Sequence, residues 1–136
     1  MKLTRYSIEV NGIEFNLQFK DSLILVDGKS GLGKTMLFKQ VKNDALVNNK
    51  GIICLDYGDL QSNNVANIIG NVSDKTIFID NAEVVLDDKQ RLFISFDTHN
   101  QYIVFTHSSR GFKPRKYSFA TLCIKDNLGF LQYDLE

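Results

Sequence analysis

The segment 28–35 constrains the fold of this chain more than any other part of the sequence. It reads Gly-Lys-Ser-Gly-Leu-Gly-Lys-Thr and matches the pattern G-x-x-x-x-G-K-S/T at every specified position. Glycines allow the unusual backbone torsions that turn successive N–H groups inward, where they form a nest for phosphate oxygens. The pattern requires a buried strand before the loop and a helix after it. The apolar run 22–26 predicts the strand, and apolar residues at helical spacing over 34–47 predict the helix.

The residue types in this loop predict what it binds. Lys34 is expected to contact the β- and γ-phosphates of a nucleoside triphosphate, and Thr35 is expected to bind Mg²⁺. The positive N-terminal end of the following helix favours the same anion. The predicted nucleotide-binding residues are Gly28, Lys29, Ser30, Gly31, Leu32, Gly33, Lys34, Thr35 and Met36.

Strand and helix patterns alternate through the middle of the chain. The helix after the loop is predicted to be apolar at Leu37, Phe38, Val41, Ala45 and Leu46. Apolar runs at 51–57, 76–79 and 102–106 predict buried strands. Helices are predicted at 60–69, where asparagines weaken the pattern, and at 86–96. This alternation predicts a three-layer α/β fold with a mainly parallel sheet.

Both ends of the sequence carry hairpin patterns. Residues 6–10 and 13–19 alternate apolar with polar side chains around Asn11-Gly12, a strong signal for a two-residue turn. Residues 117–125 and 129–135 alternate in the same way around Asp126-Asn127. We therefore expect an N-terminal and a C-terminal β-hairpin, with contact between them left open. At 136 residues and without a long polar linker, 1–136 is predicted to form one nucleotide-binding domain.

The loop at 28–35 and the run Ile77-Phe78-Ile79-Asp80 resemble the Walker A and Walker B motifs of the P-loop NTPase superfamily. The resemblance covers most of the chain and implies the core fold of that superfamily. It also implies that Asp80, at the end of a core strand, holds the magnesium of the bound nucleotide. A carboxylate supplies the oxygen ligand that phosphate-bound Mg²⁺ favours. The expected metal-binding residues are therefore Thr35 and Asp80.

Residues that follow two of the predicted strands are the candidates for catalysis. Many ATPases of this superfamily place a glutamate after the Walker B aspartate, but this sequence has Asn81, which positions water and cannot accept its proton. Glu83 is the alternative base, although a first-turn glutamate also stabilises a helix. In the same superfamily a polar residue after the next strand senses the γ-phosphate. Thr106 or His107 holds that position, and an exposed loop residue is the other interpretation of His107.

A basic cluster interleaved with aromatic residues surrounds Pro114. Its members are Arg110, Phe112, Lys113, Arg115, Lys116 and Tyr117. Arg110 is a candidate to stabilise transition-state charge as an arginine finger. The cluster is also a candidate contact for nucleic-acid phosphates, with bases stacked on the aromatic rings. A solvated loop is the third interpretation, and the balance of 16 basic against 16 acidic residues favours it over a dedicated nucleic-acid binder.

Missing motifs narrow the comparison within the superfamily. The Leu-Ser-Gly-Gly segment of ABC-type ATPases does not occur, and no room remains after Thr106 for the helical lid of AAA+ proteins. The guanine-recognition motif Asn-Lys-x-Asp is also missing, so ATP is the expected nucleotide. The chain most resembles a minimal AAA-like or ABC-like ATPase core, with a small-molecule kinase as the second resemblance.

These features together predict a Mg²⁺-dependent ATP-binding protein that acts as an ATPase or an ATP-dependent switch with a protein or nucleic-acid partner. One alternative is a nucleotide-binding module with little hydrolysis, in which Asn81→Glu raises turnover. Another is a small-molecule kinase, and a homo-oligomer is compatible with all three. Neither a signal-peptide core nor a run of ~20 apolar residues occurs, so a cytoplasmic location without membrane contact is expected. Cys54 and Cys123 lie in apolar segments and are expected to be buried.

Overall fold

The computed structural model describes residues 3–27, 33–48 and 51–134, and these form a mixed α/β protein with eight strands and five helices. The strands are β1 Arg5–Val10, β2 Ile13–Gln18, β3 Leu23–Asp27, β4 Ile52–Leu55, β5 Thr76–Ile79, β6 Gln101–Phe105, β7 Ser118–Lys125 and β8 Leu128–Tyr133. The helices are α1 Lys34–Asn48, α2 Tyr57–Gln61, α3 Asn64–Ile68, α4 Ala82–Val85 and α5 Asp88–Phe96.

The strands form one sheet in the order β1-β2-β8-β7-β3-β6-β5-β4. The five strands from β7 to β4 in this order are parallel to one another, which confirms the prediction of a mainly parallel sheet. The chain passes from β3 to β4 at the far edge and then returns through β5 to β6. As a result β6 lies between β3 and β5, and the carboxyl ends of all three meet at one edge of the sheet.

The two predicted hairpins are confirmed. Asn11 and Gly12 both have positive φ between the antiparallel strands β1 and β2, and Asp126 and Asn127 do the same between β7 and β8. Such turns match the right-handed twist of the strands that they connect. The hairpins also meet, because β2 and β8 pair in parallel and place Phe15 beside Gly129.

Helix α1 packs on one face of the sheet. Its buried residues Leu37, Phe38 and Val41 share a core with Ile24 and Val26 of β3. The ring of Phe38 meets that of Phe105 edge-on at 6.4 Å between centroids, an arrangement that the charge distribution of aromatic rings favours. The spacing of these side chains along α1 explains why this segment is helical.

The other face of the sheet is covered by the helices between β4 and β6. Leu23 and Leu25, which alternate with the α1-facing residues of β3, pack in a second core with Val65 of α3, Val85 of α4 and Ile94 of α5. β3 is therefore apolar on both faces, as its uninterrupted run of apolar residues predicts.

Several predicted boundaries are wrong. The helix expected at 60–69 is two short helices, because Asn63 adopts φ 63° between them. The helix expected at 86–96 starts two residues later, where Asp87 accepts a hydrogen bond from the Gln90 N–H at 2.7 Å and forms a capping box. Leu46, which belongs to the apolar pattern that predicted α1, is 79% exposed.

Two further expectations concern the burial of the cysteines and the membrane-spanning capacity of the helices. Cys54 is buried as predicted, whereas Cys123 is partly exposed, so the expectation of burial is wrong for it. Over 3–27, 33–48 and 51–134, the helices lack the combination of length and apolar composition that crossing a bilayer requires.

Candidate functional site

A cleft of about 360 Å³ opens at the carboxyl edge of the sheet. It is lined by Gly33, Lys34, Thr35, Met36, Asp80, Asn81 and His107. Its volume lies within the ~300–1,000 Å³ of small-molecule sites, and the carboxyl ends of parallel strands are where open α/β sheets bind ligands. The cleft therefore brings together the end of the predicted loop and the predicted magnesium ligand. The predicted residues Gly28, Lys29, Ser30, Gly31 and Leu32 lie outside the described residues.

The first turn of α1 presents the loop residues to this cleft. Gly33 has φ 84°, which side-chain-bearing residues rarely adopt, and its carbonyl accepts the Leu37 N–H at 2.8 Å. Lys34 is the first residue of the helix and Thr35 follows it. A Cβ at position 33 would stand 3.4 Å from Ile124 Cδ1 of β7, an ordinary contact, so the positive φ is what favours glycine here.

Asp80 stands directly after β5, on the opposite wall of the cleft. Its N–H donates to the carbonyl of Leu55 at 3.0 Å, which continues the pairing of β5 with β4 beyond Ile79. Burial raises the pKa of the Asp80 carboxyl above its ordinary value, and the charge of Lys34 and the N–H of Asn81 partly offset that rise. Lys34 is thus close enough to Asp80 for its charge to act on the carboxylate.

Asn81 begins α4 in a left-handed backbone conformation, with φ 53° and ψ 54°. Its carbonyl accepts the N–H groups of Val84 at 3.0 Å and Val85 at 3.1 Å. The exposed side chain of Asn81 lines the cleft beside Asp80. An amide, which cannot accept a proton from water, therefore lies next to Asp80 in the cleft.

His107 joins the ends of two neighbouring strands. It follows β6, and its Nδ1 lies 2.7 Å from Oδ1 of Asp27, the last residue of β3. Because β3 and β6 are paired, their carboxyl ends are neighbours, and this contact connects them. The exposed ring of His107 therefore contacts the end of the strand that leads into the predicted loop.

Glu83 contacts the same segment from α4. Its Oε2 accepts the His107 N–H at 2.7 Å. Burial raises the pKa of Glu83, but hydrogen bonding, with the His107 N–H first, outweighs it and holds the pKa below its ordinary value. Glu83 is consequently an anion at neutral pH that is engaged with the segment after β6.

The remaining candidates for catalysis line a second cavity of about 370 Å³. It is bounded by Glu83, Asp88, Arg91, Thr106, Ser108 and Arg110. Thr106 is buried, and its hydroxyl donates to the carbonyl of Ser108 at 2.9 Å. Of the predicted catalytic residues, His107 lines the first cleft, whereas Glu83, Thr106 and Arg110 line the second.

The side-chain oxygens of the first cleft suit magnesium better than a metal whose ligands must all come from the protein. Over the described ranges, no group of three or more His, Cys, Asp or Glu side chains could hold a metal ion. Mg²⁺ is usually bound through one or two carboxylates together with phosphates and water. The hydroxyl of Thr35 and the carboxylate of Asp80 fit that requirement.

Two residues of this region were not predicted from the sequence. Asp27 is a polar residue between an apolar run and the loop, and that position is a signal that could have identified it. Arg91 gave no such signal. Its Nη2 donates to the carbonyls of Ala82 at 3.2 Å and Glu83 at 3.3 Å, and its Nη1 lies 3.1 Å from Asp88. Arg91 thereby holds α5 against α4.

The basic cluster does not act as one unit. Phe112 is buried, so its ring is not an exposed stacking surface. Arg110 lines the second cavity, whereas Lys116 extends toward α5, with Nζ 5.4 Å from the centre of the Phe96 ring. The N–H of Lys113 donates to Ser95 Oγ at 2.9 Å, which fixes the later part of the cluster beside α5.

Comparisons with protein-family models, with curated proteins and with solved structures gave no match to this chain.

Proposed function

We propose that this chain is a P-loop protein, with the three-layer core of that superfamily, that binds ATP and Mg²⁺ in the first cleft. The observation that carries the proposal is that the pattern at 28–35 leads directly into a cleft where Lys34 and Thr35 face Asp80. Neither half is convincing alone, because a short motif occurs by chance and many clefts contain a carboxylate. Their combination at the carboxyl ends of β3 and β5 supports the proposal.

Different residues of the cleft bind the phosphates and the metal of a triphosphate. The N–H groups of the loop and the charge of Lys34 attract the phosphate oxygens, while Thr35 and Asp80 supply oxygen ligands for the metal. Bound Mg²⁺ neutralises phosphate charge. His107, which follows β6 and contacts Asp27, lines the same cleft. The absence of a guanine-recognition motif favours ATP over GTP.

Slow hydrolysis, or an ATP-dependent switch, follows from the side chains around Asp80. Asn81 cannot accept a proton from water, and the Glu83 carboxylate is engaged by the His107 N–H. We infer that turnover depends on a protein or nucleic-acid partner that rearranges this segment. A nucleotide-binding module with little hydrolysis is the second candidate, and Asn81 is the observation that favours it.

Calorimetric titration with ATP tests the binding proposal. ATP is expected to bind in the presence of Mg²⁺ and much more weakly with EDTA. Lys34→Ala is expected to abolish binding, because it removes the lysine predicted to contact the β- and γ-phosphates. Lys39→Ala is the matched control, since Lys39 is an exposed lysine of the same helix that lies outside the cleft lining.

The proposal fails if the protein does not bind ATP with Mg²⁺, or if Lys34→Ala and Lys39→Ala bind it as the wild type does. Phosphate release measured on the same samples separates an ATPase from a module with little hydrolysis. A rate of several per second without a partner lies in the ordinary enzyme range and contradicts the slow-turnover inference.

A further inference from the structure

Helix α5 has an apolar face directed away from the core. Ile94 is buried beneath the helix, whereas Leu92, Phe93 and Phe96 are 50%, 44% and 53% exposed. These three side chains and Lys89 follow the spacing i, i+3, i+4 and i+7, so they lie on one face of α5. They line a groove of about 490 Å³, here called the α5 groove. Contiguous exposed apolar side chains of this kind mark interaction sites.

The exposed charges around the α5 groove are mainly basic. Lys89 lies on its lining, and the Lys116 ammonium stands over the Phe96 ring. The hydrogen bond from the Lys113 N–H to Ser95 sets the exposed residue Lys113 beside the same helix. A partner that covers the groove therefore meets several cations at its rim.

The nearby carboxylates are already engaged within the protein. Asp97 accepts hydrogen bonds from the Tyr102 hydroxyl at 2.6 Å and from Asn100 Nδ2 at 2.9 Å. Asp88 is paired with Arg91 at 3.1 Å. Asp97 keeps its negative charge, because its hydrogen-bond partners are neutral. Lys89 and Lys116 outnumber this carboxylate among the charges at the α5 groove, so electrostatic complementarity favours an acidic partner.

Two other occupants fit the groove less well. A second copy of this chain, docked by the same groove about a two-fold axis, would bring the basic rims together. Single-stranded nucleic acid needs open ring faces for stacking, whereas Lys116 stands over the Phe96 ring and Leu92 offers no ring. The chain as a whole is also electrically balanced, with 16 basic and 16 acidic residues.

We propose that the α5 groove docks an acidic amphipathic segment of a partner protein. Apolar side chains of that segment fill the space among Leu92, Phe93 and Phe96, and its carboxylates contact Lys89 and Lys116. This is the helix-in-groove mode of peptide recognition with a charged rim. The inference is independent of nucleotide binding.

Selection from a phage-displayed library of random peptides tests the chemistry of the occupant, with no nucleotide present. The enriched peptides are expected to carry apolar residues three or four positions apart and an excess of Asp and Glu. A fluorescent synthetic copy of the most enriched peptide is then titrated against the protein by anisotropy. Phe96→Ser is expected to weaken its binding about tenfold or more, as the loss of an aromatic anchor usually does.

Two further variants separate the groove from general effects. Lys116→Glu is expected to weaken the same peptide and to reduce the dependence of its binding on salt, because a rim cation is reversed. Phe130→Ser is the matched control, since Phe130 is an exposed phenylalanine of β8 outside the α5 groove, and it is expected to bind as the wild type does.

Four results would overturn the inference. The first is that no peptide is enriched, and the second is that the enriched peptides are basic or bind Phe96→Ser unchanged. The third is that labelled oligothymidine binds the wild type and not Phe96→Ser, which assigns the groove to nucleic acid. The last is self-association that Phe96→Ser abolishes, measured by sedimentation, which assigns it to a second copy.

Discussion

At the scale of single residues, the backbone conformation of Asn81 determines which substitutions the position after Asp80 tolerates. Its φ of 53° lies in the left-handed region, which Asn and Asp tolerate better than longer side chains. Asn81→Glu would therefore combine a new carboxylate with backbone strain at the start of α4. Asn81→Asp supplies the carboxylate and keeps the conformation.

We predict that Asn81→Asp raises the rate of ATP hydrolysis about tenfold to a hundredfold. The reason is that general bases contribute ~10²–10⁴ to rate and this one lies on a shorter side chain than glutamate. The measurement is phosphate release at saturating ATP and Mg²⁺. Asn81→Gly is the control, because it accepts the same φ without adding a carboxylate. Equal rates for the Asp and Gly variants would contradict the prediction.

The residues of the candidate site differ in how far the sequence reveals them. Lys34, Thr35 and Asp80 could be predicted, because each belongs to a short pattern whose chemistry is local. Arg91 could not be predicted, because its role depends on how α5 packs against α4. The same is true of the contact between Asp27 and His107, which lie 80 residues apart in the chain and become neighbours only through the pairing of β3 with β6.

At the scale of elements, hydrogen bonds to Asp97 connect the end of α5 to β6. Its carboxylate accepts hydrogen bonds from the Tyr102 hydroxyl, from the Asn100 side chain and from the His99 N–H. Burial raises the pKa of Asp97, but these hydrogen bonds outweigh burial and hold the pKa below its ordinary value. Because the pKa is lower in the folded than in the unfolded protein, the ionised carboxylate stabilises the fold.

We predict that this contribution is present at neutral pH and disappears as pH falls from about 4 through the pKa of Asp97 in the folded protein. Asp97→Asn is expected to lower the free energy of unfolding at pH 7 and to make it less dependent on pH between about 5 and 2. Urea denaturation at several pH values measures both effects. Asp126→Asn, in the exposed turn before β8, is the control. An unchanged pH profile for Asp97→Asn would refute the assignment.

The junction of the two hairpins depends on Gly129. A Cβ at this position would lie 2.1 Å from Cδ1 of Phe15, whose side chain is fully buried. Nothing larger than glycine fits unless the ring of Phe15 moves. The two hairpins therefore pack closely because Gly129 on β8 leaves space for the large ring of Phe15 on β2.

We predict that Gly129→Ala destabilises the protein by about 1–3 kcal/mol or more, the usual cost of overpacking a core. Urea denaturation measures the loss. The double variant Gly129→Ala with Phe15→Leu is expected to be more stable than the sum of the single effects implies, because the smaller side chain admits the methyl group. Strict additivity of the two changes would show that the clash is not the cause.

The elements themselves were predictable to different degrees. Both hairpins follow from turn residues that adopt positive φ, which is a local property. The break between α2 and α3 was not predicted, because an asparagine at 63 is compatible with a weak helix until the packing of Val65 fixes the chain. The parallel pairing of β2 with β8 leaves no local signal, since each strand alone reads as half of a hairpin.

At the scale of the whole molecule, the proposed ligand would connect parts that are separate in sequence. The first cleft is lined from the start of α1, from the segment after β5 and from the segment after β6. A ligand that contacts all of these only in the folded protein stabilises the whole fold by mass action.

We predict that saturating ATP with Mg²⁺ raises the free energy of unfolding by about 2.7 kcal/mol at 100 times the dissociation constant. Thermal or urea unfolding with and without the nucleotide measures this difference. Lys34→Ala is expected to lose the effect and Lys39→Ala to keep it. Equal stabilisation of both variants would place the nucleotide outside the first cleft.

The meeting of β2 with β8 also has a consequence for how the chain reaches its native state. Glu14 pairs with Leu128, so this contact closes a very long loop and raises the contact order of the fold. Phe15 is buried in the native state, but part of its surface stays uncovered until β8 has been synthesised and has paired with β2. The pairing of β2 with β8 therefore cannot form before β8 has been synthesised, and the side chain of Phe15 is exposed to chaperones and to aggregation until then.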